Sequence, residues 1–188
     1  MIDPKNITNF NRTEAELQEF LLFCIVVAGK NSHQQAVKLD QFLNMGGMGH
    51  LTPFQRILRV DSYGLLTAEL MKVKMGQYTR IANAFREVAK LSSLSTVALD
   101  DLEKVKGIGS KTSRFFVMHS RPNQRVAVLD THILKWLGTQ LFISVPKATP
   151  SDKKKYQWLE YCFLKLADLK GKTPAELDLE IWSSMAKA

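Results

Sequence analysis

Apolar residues in this chain recur at intervals of three and four, and almost nowhere at intervals of two. That period belongs to helices, so the sequence predicts an all-α protein in which strands are hard to place. Capping and stop signals divide the pattern into elements. Thr13, followed three residues on by Glu16, forms a capping-box pattern ahead of the apolar run "FLLFCIVVA", and Gly29 stops that helix, giving a first element over 14–28. A second runs from Asn31 or Ser32 through Leu43 and ends at "NMGGMGH", whose glycines prolong a helix only at a cost. Pro53 suits the first turn of a third, capped by Thr52. Further helices are expected over 67–73, 78–91, 97–105, 111–119, 131–137, 153–169 and 174–185, the one at 153 with Ser151 as its cap.

Charge points toward a partner. The 188 residues carry 26 Lys and Arg against 18 Asp and Glu, a formal charge of +8 that suits a polyanion, although a plain soluble basic protein would show the same balance. Cys24 and Cys162 lie far apart in unrelated apolar segments, whereas a structural zinc or iron–sulfur site needs about four ligands at close spacing. They read as small core hydrophobes in a reducing compartment. His33, His50, His119 and His132 form no metal-ligating pair, so no metal or cofactor is expected. The longest apolar run, Phe20 to Ala28, falls well short of the roughly 20 residues that span a bilayer. The opening "MIDPKNITNFNRTEAE" does not have the pattern of a secretion signal. The expectation is a cytoplasmic protein, nucleoid-associated if prokaryotic, monomeric and without membrane contact.

Two short helical segments, "TVALDDLEKV" and "KTSRFFVMHS", are joined by "KGIGS". Helices so close in sequence must turn sharply, and glycine supplies the positive φ that a tight hairpin needs. With no side chains at Gly107 and Gly109, backbone N–H groups there and at the start of the next helix stand ready for a phosphate, and Lys106 adds charge. Such a contact grips a nucleic-acid backbone without reading its bases. An isolated G-x-G is also an ordinary helix stop, so the downstream "RVAVLDTHILKWLG" matters.

Taken together, "LEKVKGIGSKTSRFF" and "VAVLDTHILKWL" resemble the helix-hairpin-helix superfamily of DNA base-excision glycosylases, in which a G-x-G hairpin is followed by a lysine and then by an aspartate in a V-D-T-H or V-D-x-H segment. Lys111 takes the lysine position and Asp130 that of the aspartate. The resemblance is firm over 94–136 and looser upstream; near the end, "AELDLEIW" is similar to the tail of some compact 8-oxoguanine glycosylases. It implies a two-lobed helical fold, one lobe built from 1–28 plus 131–188 and the other a bundle over 29–130 that holds the hairpin at about 96–119. It also implies damaged double-stranded DNA as partner, and a bifunctional glycosylase and abasic-site lyase that works through a Schiff base.

The residues support those roles on their own terms. Lys111 would stand in the first turn of its helix, where the positive dipole end and partial burial against Phe115 favour the neutral, nucleophilic amine. Asp130 precedes "THILKWL" as a natural N-cap whose N–H bonds favour its anion, which can stabilise positive charge developing on the sugar. The resemblance makes Gln77 the candidate wedge that refills the stack, with Tyr78 second, and Asn31 a contact to the orphaned base. Phe115 and Trp182 are candidates for the base pocket, and with Trp136 they suit the core equally well. The four clustered cysteines of the pyrimidine-excising branches are missing, which favours the cluster-free 8-oxoguanine branches. Two other readings stay open: a different damaged base, or a non-catalytic helix-hairpin-helix module that only binds DNA.

Overall fold

The computed structural model describes residues 1–47 and 49–185; Met48 of the expected bundle and residues 186–188 of the expected terminal lobe lie outside the described residues. The elements are α1 (Glu14–Val26), α2 (Ser32–Asn44), α3 (Pro53–Ser62), α4 (Leu66–Lys72), α5 (Tyr78–Val88), α6 (Leu99–Lys104), α7 (Ser110–Ser120), α8 (Thr131–Leu141), α9 (Lys153–Leu169) and α10 (Pro174–Met185). No strand occurs among the described residues, and no helix among them is long and apolar enough to cross a membrane.

Local chemistry explains the boundaries. The Thr13 hydroxyl and the Glu16 carboxylate satisfy each other's backbone N–H groups at the start of α1, and Thr52 with Gln55 does the same for α3. Asp152, not Ser151, caps α9, its Oδ1 accepting from the Lys155 N–H at 2.6 Å. The expected end of α8 at Leu137 is also displaced, because the helix runs on through Gly138 to Leu141. The reason is packing: a Cβ at Gly138 would stand 3.0 Å from a Val145 methyl, so the glycine permits a close return of the chain and is no stop signal.

Two hydrophobic clusters organise these helices. The larger takes side chains from α1 through α7, and the smaller from α8, α9 and α10 with Ala127 and Leu129. Met118, Val128 and Ala175, with Phe115 and Val126 against them, fill the seam. Helix α1 buries Leu17 and every residue from Phe20 to Val26, so its C-terminal half is apolar on all sides and needs partners all round. It finds them in α2, α3, α5 and α7. The grouping of 1–28 with 131–188 is therefore not what packing produces: α1 is the centre of the larger cluster, and the smaller one is C-terminal.

Polar ties cross the seam at Arg114. Its Nε donates to Glu160 at 2.8 Å, its Nη1 to Glu103, and its guanidinium lies over the Tyr156 ring at 4.5 Å. Glu160 in turn accepts from the Ala127 N–H at 2.8 Å, while the Tyr156 hydroxyl donates to the Ala127 carbonyl at 2.7 Å. Thr149 donates to the Leu129 carbonyl. The extended segment before α8 is thus fixed from three sides, and that segment delivers Asp130.

Candidate active site

The hairpin forms between α6 and α7. Gly107 adopts φ +100°, Ile108 points into the core, and Gly109 is the extended residue before α7. No side chain caps α7, which leaves the first N–H groups of this helix without a capping side chain at the positive end of its dipole. Lys106 is exposed, and its backbone N–H donates to Glu87 at 3.0 Å. The tight turn read from the sequence at Gly107 and Gly109 thus forms directly ahead of α7.

In the first turn of α7, Lys111 lines a cavity of about 400 Å³, a size usual for small-ligand sites. The end of α1, the following turn with Lys30 and Asn31, the start of α8 and the face of α10 make up the other walls. Asp130 lies on the same cavity and is almost fully buried. Its Oδ1 accepts from the His132 and Ile133 N–H groups, both at 2.9 Å, and its Oδ2 accepts from the Trp182 indole N–H at 3.1 Å. Three of about four lone-pair positions are occupied, so the carboxyl is held in one orientation.

Trp182 and Phe115 both line the cavity as well. Trp182 stands edge-on to His132, centroids 5.6 Å apart, while Phe115 stands edge-on to His119 at 4.9 Å. Trp136 instead packs against Phe163 in the smaller cluster. Asn31 caps α2, its Oδ1 accepting from the Gln34 N–H at 3.0 Å, so the side-chain amide N–H₂ is what it offers to the cleft. Gln77 is exposed on the loop before α5, away from the cavity, whereas Tyr78 packs partly against the larger cluster.

Two cavity residues were missed by sequence reading. Asp178 of α10 is 3% exposed, accepts or shares a proton with His119 Nε2 at 3.3 Å, and has no partner for its Oδ1 among the described residues. Thr8 holds the other His119 nitrogen at 2.7 Å. Burial pushes the Asp178 carboxyl above its ordinary range and the Asp130 charge acts in the same sense, while His119 and Lys111 oppose them. A signal for it existed: Asp178 and Trp182 are four apart in "AELDLEIW", so a carboxylate shares the inward face of an apolar helix. Lys30 is the second. Its ammonium donates to the Met75 carbonyl at 2.8 Å, and burial first, then the charges of Arg80 and Lys38, lower its pKa.

No family model matches the chain. Over 82 residues, 43% of its length, it is 32% identical to the 8-oxoguanine DNA glycosylase/AP lyase of Thermotoga sp. (strain RQ2), and it is 36% identical over 81 residues to that of Thermoplasma volcanium. The matched segment spans 38% and 37% of those relatives, little more than a third of their length. In fold the likeness extends much further. The 8-oxoguanine glycosylase/lyase of Methanocaldococcus jannaschii, solved in complex with a 15mer DNA containing 8-oxoguanine, superposes with a TM-score of 0.69 at 22% identity over 98% of this chain and 87% of that one. The 8-oxoguanine DNA glycosylase of Thermotoga maritima gives 0.64 at 24% identity over 90% and 79%. The chain thus has the helix-hairpin-helix glycosylase fold nearly throughout and is similar in sequence, across the segment compared, to the 8-oxoguanine DNA glycosylase/AP lyases.

Proposed function

We propose that the protein is a bifunctional DNA glycosylase and abasic-site lyase that removes an oxidised base, 8-oxoguanine foremost, from duplex DNA. The observation that carries this reading is that Lys111 and Asp130 line one cavity directly behind an uncapped hairpin. The hairpin and Lys106 would hold the backbone while the damaged nucleotide turns out of the stack, a change that costs a few kcal/mol and least for a poorly paired base. Cavity aromatics Phe115 and Trp182 would flank the base.

In the reaction, the Lys111 amine lone pair forms a bond to C1′ while the C1′–N bond pair leaves with the base, which takes up a proton. Positive charge grows on the sugar as the base departs, and the saturated Asp130 carboxylate offsets it without moving. Ring opening gives an imine between Nζ and C1′. Loss of a 2′ proton then breaks the C3′–O bond and releases the 3′ phosphate. Damaged double-stranded DNA is the partner on this reading, and the chain works as a monomer.

Borohydride trapping tests it, using duplexes that carry 8-oxoguanine, thymine glycol, uracil or a bare abasic site. An adduct with the 8-oxoguanine duplex, lost in Lys111→Gln and kept in Lys30→Gln, is the expected result and separates the two amines of the cavity. An adduct with another base names a different substrate. Adducts from neither lesion nor abasic site, with DNA binding intact, leave a module that binds without chemistry.

A further inference from the structure

The loop before α5 is held under backbone strain. Lys74, Gly76 and Gln77 all have positive φ, at 53°, 74° and 48°, and two of the three carry side chains that this region disfavours. Something must hold it, and two cations do. Lys30 donates to the Met75 carbonyl from the cavity side. Arg80 holds the opposite end: its Nε donates to Gln77 Oε1 at 2.7 Å, Nη1 to the Gly107 carbonyl at 3.1 Å, and Nη2 to the Ile25 carbonyl at 2.9 Å. One guanidinium therefore joins the loop, the hairpin and the end of α1.

Chemistry also fixes which way the Gln77 amide faces. A guanidinium has donors only, so the atom it meets must be the carboxamide oxygen, and the N–H₂ group is left pointing away. The Arg80 stem is equally constrained, because its Cγ lies 3.3 Å from where a Cβ on Gly107 would stand. Hairpin and loop are packed through this side chain as well as bonded through it.

We propose that Arg80 is the positioning residue of base extrusion: it holds the Gln77 side chain, N–H₂ outward, in fixed register with the hairpin that grips the phosphate. The inference rests on the glycosylase reading. Backbone capture at the hairpin and insertion at Gln77 then act as one rigid device, spanned by a fork that a lysine cannot reproduce.

Extrusion can be measured apart from chemistry. In the Lys111→Gln background, 2-aminopurine placed beside 8-oxoguanine in a duplex reports unstacking by its fluorescence at saturating protein. Adding Arg80→Met is expected to lower the extruded fraction about tenfold, and Gln77→Ala to lower it no further when Arg80 is already changed, because both disable one device. Arg80→Lys keeps the charge and the burial, serves if Arg80→Met fails to fold, and is expected to lose extrusion similarly. Unchanged extrusion in Arg80→Met, full recovery in Arg80→Lys, or additive losses with Gln77→Ala would each overturn the proposal. Failure of the glycosylase reading would show elsewhere, as missing borohydride adducts from protein with Lys111 and Arg80 intact.

Discussion

At the scale of single residues, the cavity is organised by what holds its two aspartates. Asp130 is saturated by two backbone N–H groups and the Trp182 indole. Trp182→Phe keeps an aromatic wall and removes that donor, and a hydrogen bond to a charged group is worth about 1.5–3 kcal/mol, so single-turnover excision is expected to slow about tenfold or more. A rate equal to wild type would mean that the indole N–H does not tune Asp130. Asp178 makes the opposite case, since burial keeps its carboxyl above the ordinary 3.8 in the folded chain. Below that ordinary value it is neutral folded and unfolded; as pH rises toward the folded value, the unfolded chain releases the proton more readily and stability is lost. Asp178→Asn has no such loss. Its urea midpoint relative to wild type should therefore rise as pH increases above the ordinary carboxyl value, and a gap that stays constant would refute the titration. Lys111 and Asp130 were singled out by the resemblance of their two segments to a family motif, and the fold brings both onto one cavity. Asp178 was not read: its one local sign is the four-residue spacing to Trp182, while its histidine partner lies 59 positions away and its cavity is formed by several helices.

At the scale of elements, capping chemistry was the most readable part of the chain. Thr13 and Thr52 start helices where their patterns said, since a cap is a contact between residues three apart. The end of α8 was less readable for the converse reason: Gly138 is set against Val145 across a turn, and the helix runs on through it because the neighbour fills the place of a side chain. Gly107 has both a local and a distant demand. Its φ of +100° is strained for any side chain, and a Cβ would press on Arg80 Cγ at 3.3 Å and Ala84 Cβ at 3.4 Å. Gly107→Ala is accordingly expected to cost about 1–3 kcal/mol in chemical denaturation. It should also weaken binding to undamaged duplex, because the displaced hairpin no longer presents its N–H groups to phosphate. Loss of stability with unaltered DNA binding would place the phosphate contact elsewhere.

For the whole molecule, the sequence conveyed helix content and two-part organisation, but not which helices share a core. A helix such as α1, apolar all round in its C-terminal half, announces burial without naming its partners, and position near the N-terminus says nothing of where it packs. The net charge of +8 carries a separate, testable consequence. Each phosphate neutralised by Lys or Arg releases counterions, so log Kobs falls with log salt in proportion to the number of such contacts, at about 0.9 per phosphate on duplex DNA. On the proposed reading, contacts from hairpin N–H groups would add affinity without adding to that slope, because they carry no full charge. Lys106→Gln should therefore lower the slope by about one and weaken damaged and undamaged duplexes alike. On the proposed reading, recognition of the lesion would fall instead to the cavity lined by Phe115, Trp182 and Asp130. An intact protein titrated from low to high salt should then give parallel lines for lesion-bearing and undamaged duplexes, offset by the gain from the cavity. Lines that converge at high salt would assign damage preference to surface charge, and would take the cavity out of recognition.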